Sequence, residues 1–245
     1  MKKHLEYIEN IERIIALEMT EGEKPITETA ELFYRAVRDG RNIFLFGTGH
    51  SHMLAEELFY RAGGMANVRP ILETSLMLHE SASKSTKIER LEGYAQILFE
   101  QYKISSGDVV VMISNSGRNG VVVDMALLCR ERGVKVVALT SMKHTLSGES
   151  RHRSGKRLFE LADVVLDNMG EYGDASVSVD GIDGKVCPTS TVIGAMLLNA
   201  AMAGCFELCA ENGIAPDHFS SSNIDGGDEI NDRLVKKYIG EVPHL

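Results

Sequence analysis

Two short stretches carry the residue types from which an anion receptor can be built. One is Gly47-Thr48-Gly49-His50-Ser51; the other is Ser114-Asn115-Ser116-Gly117-Arg118-Asn119-Gly120. Each follows an apolar run and precedes a segment with helical periodicity. Glycine allows the backbone to turn sharply and to approach a ligand. Small hydroxyl and amide side chains add donors. The first N–H groups of the helix that follows are unpaired and point back at the turn, an arrangement that attracts an anion and most often a phosphate. Just beyond the first turn stand His52, Glu56 and Glu57. A carboxylate and an imidazole near the start of one helix have the chemistry for proton transfer, provided burial raises the carboxyl toward neutrality. His52 and Glu56 lie four residues apart, on one helix face. That spacing suits a divalent ion, with His79 or His218 as further ligands, or an ordinary surface pair.

These residues require a strand, a turn and a helix, twice over. Ile43 to Phe46 is apolar without alternation, as expected of a strand covered on both faces of a parallel sheet. Leu54, Ala55, Leu58, Phe59 and Ala62 then predict a helix from His50 or Ser51 to Gly63-Gly64. Helices over 4–19 and 26–39 precede the first strand, and 67–72 reads as a second strand with Pro70 at an edge. The segment 73–88 is ambiguous: Met77 to His79 fit a helix, whereas Ser81 to Thr86 read as a loop. A helix over 89–103 leads to strands at 108–113, 134–139 and 163–166, with a crossover helix at 121–132. The polar segment 144–157 is irregular and contains the basic cluster Arg151, His152, Arg153, Lys156 and Arg157, either a lid over a phosphate or a solvated loop or subunit contact. A small hairpin is expected over 175–187 and a long apolar helix from about Pro188 to Ala210, buried in the core or against another subunit. Asp225 to Glu229 lacks the spacing of a calcium loop and reads as a turn capping a final helix with Ile230, Leu234 and Tyr238. Adjacent first and third strands would bring both glycine turns to one crevice at the carboxyl ends of an open sheet.

The 245 residues are expected to form one domain: leading helices over 1–40, a core over 41–212 and an extension over 213–245. A net charge of −9 argues against a general nucleic-acid or anionic-membrane surface, though a small anion can still bind locally. Acids stand where a signal peptide would need its apolar stretch, so a soluble, cytoplasmic protein without membrane contact is expected. Four cysteines, Cys129, Cys187, Cys205 and Cys209, have neither disulfide density nor CxxC spacing and read as reduced, mostly core thiols.

With its two turns in this order, each at a strand-to-helix junction, the chain resembles the SIS, or sugar isomerase, phosphosugar-binding family across roughly residues 26–212. The resemblance implies a three-layer, flavodoxin-like α/β fold with a five-stranded parallel sheet of order 2-1-3-4-5, here with an added hairpin and C-terminal helix. It assigns Ser114, Ser116 and Gly117 to a phosphate, with Asn119 where threonine is usual. Gly47, Thr48, Gly49, Ser51 and Asn115 complete the ligand site. Ala55-Glu56-Glu57-Leu58 is similar to the Ala-Glu-Glu-Leu of phosphoheptose isomerases, and that likeness makes Glu57 the carried-over base, with His50 or His52 as acid–base partner. Cys187-Pro188-Thr189-Ser190-Thr191 stands where that family carries Gln and His on the last core helix. The expected activity is aldose–ketose isomerisation of a phosphosugar through an enediolate, with no cofactor. Alternatives are a noncatalytic phosphosugar sensor and a phosphosugar etherase or lyase. The long apolar helix and the two leading helices suggest a homodimer or homotetramer, and the resemblance implies a site completed at a subunit interface.

Overall fold

The computed structural model describes residues 2–245. Ile43–Gly47 (β1), Val68–Ile71 (β2), Val109–Ile113 (β3), Lys135–Thr140 (β4) and Val164–Asp167 (β5) form one parallel sheet in the order β2-β1-β3-β4-β5. Side chains alternate across a strand, so every apolar strand feeds two cores. Ile43, Leu45, Val111 and Leu139 enter one cluster; Phe44, Phe46, Val110 and Met112 enter the other. The first face is covered by Glu23–Arg38 (α2), Met53–Glu57 (α3) and Ser190–Glu211 (α9). Tyr94–Gln101 (α5), Gly120–Glu131 (α6) and Leu158–Leu161 (α8) cover the second. Lys3–Glu18 (α1) packs outside this layer against α9. The result is the three-layer SIS-like fold, with Pro70 on edge strand β2, where a missing N–H costs no ladder bond.

Four local expectations need correction. The helix after β1 stops at Glu57 instead of Gly63-Gly64, preceded by a 3-10 turn over Gly49–His52. Tertiary contacts override its periodicity: Tyr60 adopts a φ of 43° and its ring meets Phe219 at 4.9 Å. Gly63 N–H and the Gly64 carbonyl also bond Phe219. Ser81 to Thr86 is largely helical, in Ala82–Ile88 (α4), where Ser81 accepts from the Lys84 N–H and Ser85 is buried with its hydroxyl on the Leu76 carbonyl. The helix expected over 89–103 begins only at Tyr94, because Gly93 is left-handed, with a φ of 86°. Gly227–Tyr238 (α10) follows the expected turn, but left-handed Gly226 occupies the cap position and no side chain caps it.

Met142–Leu146 (α7) is a short helix, after which the chain is irregular to Leu158, as its composition suggests. The hairpin forms from Val177–Ser178 (β6) and Lys185–Val186 (β7). The 22-residue helix α9 is long and apolar enough to cross a membrane by composition, yet one face, with Ile193, Leu197, Leu198 and Ala201, lies in the sheet's core. Its other face is partly open, with Val192 45% exposed. Cys129, Cys205 and Cys209 are buried free thiols, and Cys187 is exposed.

Candidate functional site

Register places the two turns side by side. Gly47, the last residue of β1, pairs with Ile113, the last of β3, so both loops leave the sheet at the same level. In the first loop, a Cβ on Gly47 would stand 2.5 Å from the Ser51 carbonyl carbon and oxygen, so only glycine fits. Gly49 has a φ of 58°, the left-handed conformation that glycine adopts freely. Three of the loop's polar groups are held within the protein. Thr48 donates its hydroxyl to Glu89 Oε2 at 2.7 Å, and the Ser51 N–H reaches the Thr48 carbonyl at 3.1 Å. His52 is buried, with Nδ1 against the Gly49 carbonyl.

The second loop is shaped from beneath and left open above. Ser114 accepts the Gly117 N–H at 3.1 Å, and Thr140 donates to the Ser114 carbonyl at 2.7 Å. Asn168 holds the Asn115 side-chain oxygen at 2.7 Å. Gly117 has a φ of 56° and packs so closely on Leu158 that a Cβ would lie 3.1 Å from that residue's own. Asn119 occupies the cap position of α6 without bonding its amides, and its Oδ1 instead accepts from Arg151 Nη1 at 3.2 Å. Among the described residues, the amides of Arg118, Asn119 and Gly120 and the Ser116 side chain have no protein partner. The Val121 N–H is occupied by the Glu89 carbonyl at 3.1 Å. A helix start with unfilled amides beside free hydroxyl and amide donors is suited to hold an oxyanion.

Beside the loops lies a cavity of about 90 Å³. His50, Ser51, Asn115, Asn168, Asp174, Ser190 and Thr191 line it together with the apolar Leu54, Ile113 and Leu139. A wider cleft of about 550 Å³ lies between Leu146 and Glu160 but includes neither glycine turn, and volume alone does not mark a site.

Asp174 was not apparent from sequence spacing. It has a φ of 56°, and its Oδ1 accepts the Ser190 N–H at 3.1 Å while Oδ2 accepts the Ser190 hydroxyl. It thereby caps α9 from a separate loop, which no local capping pattern reveals. The His144 ring stands edge-on to Tyr172 at 5.2 Å, and burial and Arg118 push its imidazole down while Asp174 opposes them.

Glu57 is elsewhere. It accepts from Asn199 of α9 at 3.0 Å and pairs with Arg61, and it does not line the cavity. His52 Nε2 lies 3.5 Å from Glu56 Oε1, and the His79 ring is 5.9 Å from that of His52. His218 instead packs on Phe206. Among the described residues no group of three or more His, Cys, Asp or Glu side chains is arranged to hold a metal ion.

The basic cluster is divided among several tasks. His152 is buried and bonds Asp124 at 2.8 Å; Arg153 pairs with Glu92; Arg157 donates to the Thr145 and Gly148 carbonyls. Only Arg151 turns to the second loop.

The SIS domain family profile matches residues 6–141. A UPF0309 protein of Shouchella clausii is 40% identical over 241 residues, covering 98% of each chain. Among solved structures, the phosphoheptose isomerase of Francisella tularensis aligns with a TM-score of 0.57 at 15% identity, over 84% of this chain and 97% of that one. The Vibrio vulnificus NanR protein complexed with ManNAc-6P aligns with a TM-score of 0.50 at 16% identity, over 99% of this chain and 69% of its own. These two likenesses concern the fold. The chain belongs to the SIS domain family and, within it, to the UPF0309 proteins.

Proposed function

We propose that this protein binds a phosphorylated sugar at the paired loops and isomerises it between aldose and ketose. The observation that carries binding is the second loop, where unfilled amides at the start of α6 lie beside Ser116, and Asn115 of the same loop lines a cavity shared with His50 and Ser51. A phosphoheptose isomerase and a protein complexed with ManNAc-6P share this fold, which supports the ligand class. The phosphate occupies Ser114, Ser116, Gly117 and Asn119, and the sugar extends toward Ser51 and Asn115. His50, in the cavity wall, is the acid–base group that opens the ring. Amide and hydroxyl donors steady the enediolate.

Glu57 serves as the base in a homodimer or homotetramer. It lies outside its own cavity, half-buried beside the open face of α9, and Leu5, Ile8, Met53 and Val192 are each 44–50% exposed on α1, α3 and α9. For Glu57 to act, a second copy must cover those side chains and present its own loops to this carboxylate. In this reading the protein is cytoplasmic and turnover requires no cofactor, so chelation leaves the rate unchanged.

The location of Glu57 also favours a second reading, a noncatalytic phosphosugar sensor. Incubation with aldose and ketose phosphates in D2O, followed by proton NMR, separates the two. Deuterium entering C2 supports the isomerase, and loss of exchange in Glu57→Gln with ligand affinity retained supports its base. A tight binder that exchanges nothing rejects isomerisation in favour of the sensor.

A further inference from the structure

The opposite end of the sheet holds a second polar cavity, of about 340 Å³, that the glycine loops do not touch. Asn42 and Asn67, which precede β1 and β2, both line it. Five residues of strand, roughly 16 Å, separate Asn42 from the turn at Gly47. Its charged lining sets Arg41, Arg69 and Lys237 against Asp217 and Glu241, and Val37, Ile214 and Pro216 add apolar wall.

Two buried polar atoms of this lining have no hydrogen-bond partner, Arg69 Nε and Asn67 Oδ1. The neighbouring groups are occupied. Lys237 donates to Asp217 Oδ2 at 2.6 Å, and the Tyr238 hydroxyl donates to the same oxygen at 2.9 Å. Buried Asp108 accepts from the backbone and side chain of both Asn42 and Ser105. The Arg69 side chain is 14% exposed, and its guanidinium lies over the Phe44 ring at 6.0 Å. Of the two donors on one edge of that group, Nη2 donates to Glu241 Oε2 at 3.1 Å and Nε to nothing. A carboxylate matches such an edge with both of its oxygens. Glu241, 63% exposed, fills only half of it. An ion pair with one partner in water is weak and exchanges readily. Burial pushes the Arg69 guanidinium below its ordinary value, and Glu241 and Asp108 oppose that only in part. The Asn67 amide is oriented by the Arg41 carbonyl, which its Nδ2 approaches at 3.5 Å, so its oxygen is the end left without a donor.

We propose that this cavity binds a small hydroxy acid. The carboxylate takes Arg69 Nε and Nη2 together in place of Glu241, and the hydroxyl beside it donates to Asn67 Oδ1. Glu241 is the chain's own occupant of half the site and moves out into water when the ligand arrives. This site is separate from the glycine loops and independent of what they bind.

Titration calorimetry of the full chain tests it with lactate, malate and gluconate, each against the acid lacking its 2-hydroxyl: propionate, succinate and 2-deoxygluconate. At least one hydroxy acid should bind, about threefold or more tightly than its deoxy partner. Glu241→Gln removes the internal competitor and should strengthen that binding about twofold or more. Arg69→Lys keeps the charge but loses the paired donors, and should weaken it about tenfold. The Arg69 Nε–H signal in nitrogen-15 NMR should shift with the same saturation. Binding of none of these acids overturns the site, as does an unmoved Arg69 Nε–H signal when one binds. Equal affinity for a hydroxy acid and its deoxy partner overturns the hydroxy acid class, and tighter binding of inorganic phosphate than of any acid overturns the carboxylate. Unchanged or weaker binding in Glu241→Gln, an exposed position, contradicts the displacement.

Discussion

The two glycine loops leave adjacent strands at the same level and yet are finished differently. In the first, Thr48 is bound to Glu89, His52 is turned to the Gly49 carbonyl, and Gly47 is closed over by the Ser51 backbone. In the second, internal bonds to Ser114, Asn115 and Gly117 hold the shape, while Ser116 and the amides of 118–120 have no protein partner among the described residues. A site needs both qualities. Satisfied groups give a rigid wall, whereas a receptor keeps donors unfilled until its ligand arrives. The first loop is therefore the more firmly held by side-chain bonds, while both keep amides without a protein partner among the described residues, at Thr48 to His50 in the first and Arg118 to Gly120 in the second.

The largest expected effect lies outside both loops and supplies the comparison's control. Glu18, 3% exposed at the end of α1, has its carboxyl raised to about 7, by burial first and then by Asp167 and Glu21. An unfolded glutamate ionises near 4.5, so from there to about pH 7 the folded state binds more protons and stability falls as pH rises. The loss is on the order of 3 kcal/mol, and Glu18→Gln should flatten that slope in urea titrations without altering ligand affinity. Gly47→Ala follows at roughly 3 kcal/mol, since its Cβ meets backbone that cannot turn aside, and binding should be lost as well. Ser116→Ala should leave the melting temperature unchanged and weaken sugar-phosphate binding by about 2 kcal/mol, the cost of a donor to a charged group. The smallest is Thr48→Val, about 1 kcal/mol in stability with affinity nearly intact. If Thr48→Val cost binding while Ser116→Ala cost stability, the two loops would have been assigned the wrong way round.

The contrast also marks where the sequence is legible. The sheet and its order can be read because unbroken apolar runs such as Ile43–Phe46 and Val109–Ile113 have few other ways to be buried. Both turns are visible because glycine at 47, 49 and 117 is required by backbone geometry, a local property. What escapes is decided at a distance. Phe219 ends the helix after β1 early, although the periodicity continues. Buried Ser85 belongs to a polar helix that composition presents as a loop. Asp174 reaches the cavity through a tertiary cap on Ser190, and Arg151 meets Asn119 of the second loop from 32 positions further along the chain. Glu57 is legible as a motif but not in its direction, because Asn199, 142 residues later, sets its orientation.

The most direct test is a backbone amide NMR titration with the same panel of aldose and ketose phosphates. The largest shifts should fall on the amides of Gly117, Arg118, Asn119 and Gly120, with smaller ones at Gly49 to Ser51. Saturable shifts centred on any other part of the chain, with residues 117–120 unmoved, would contradict it.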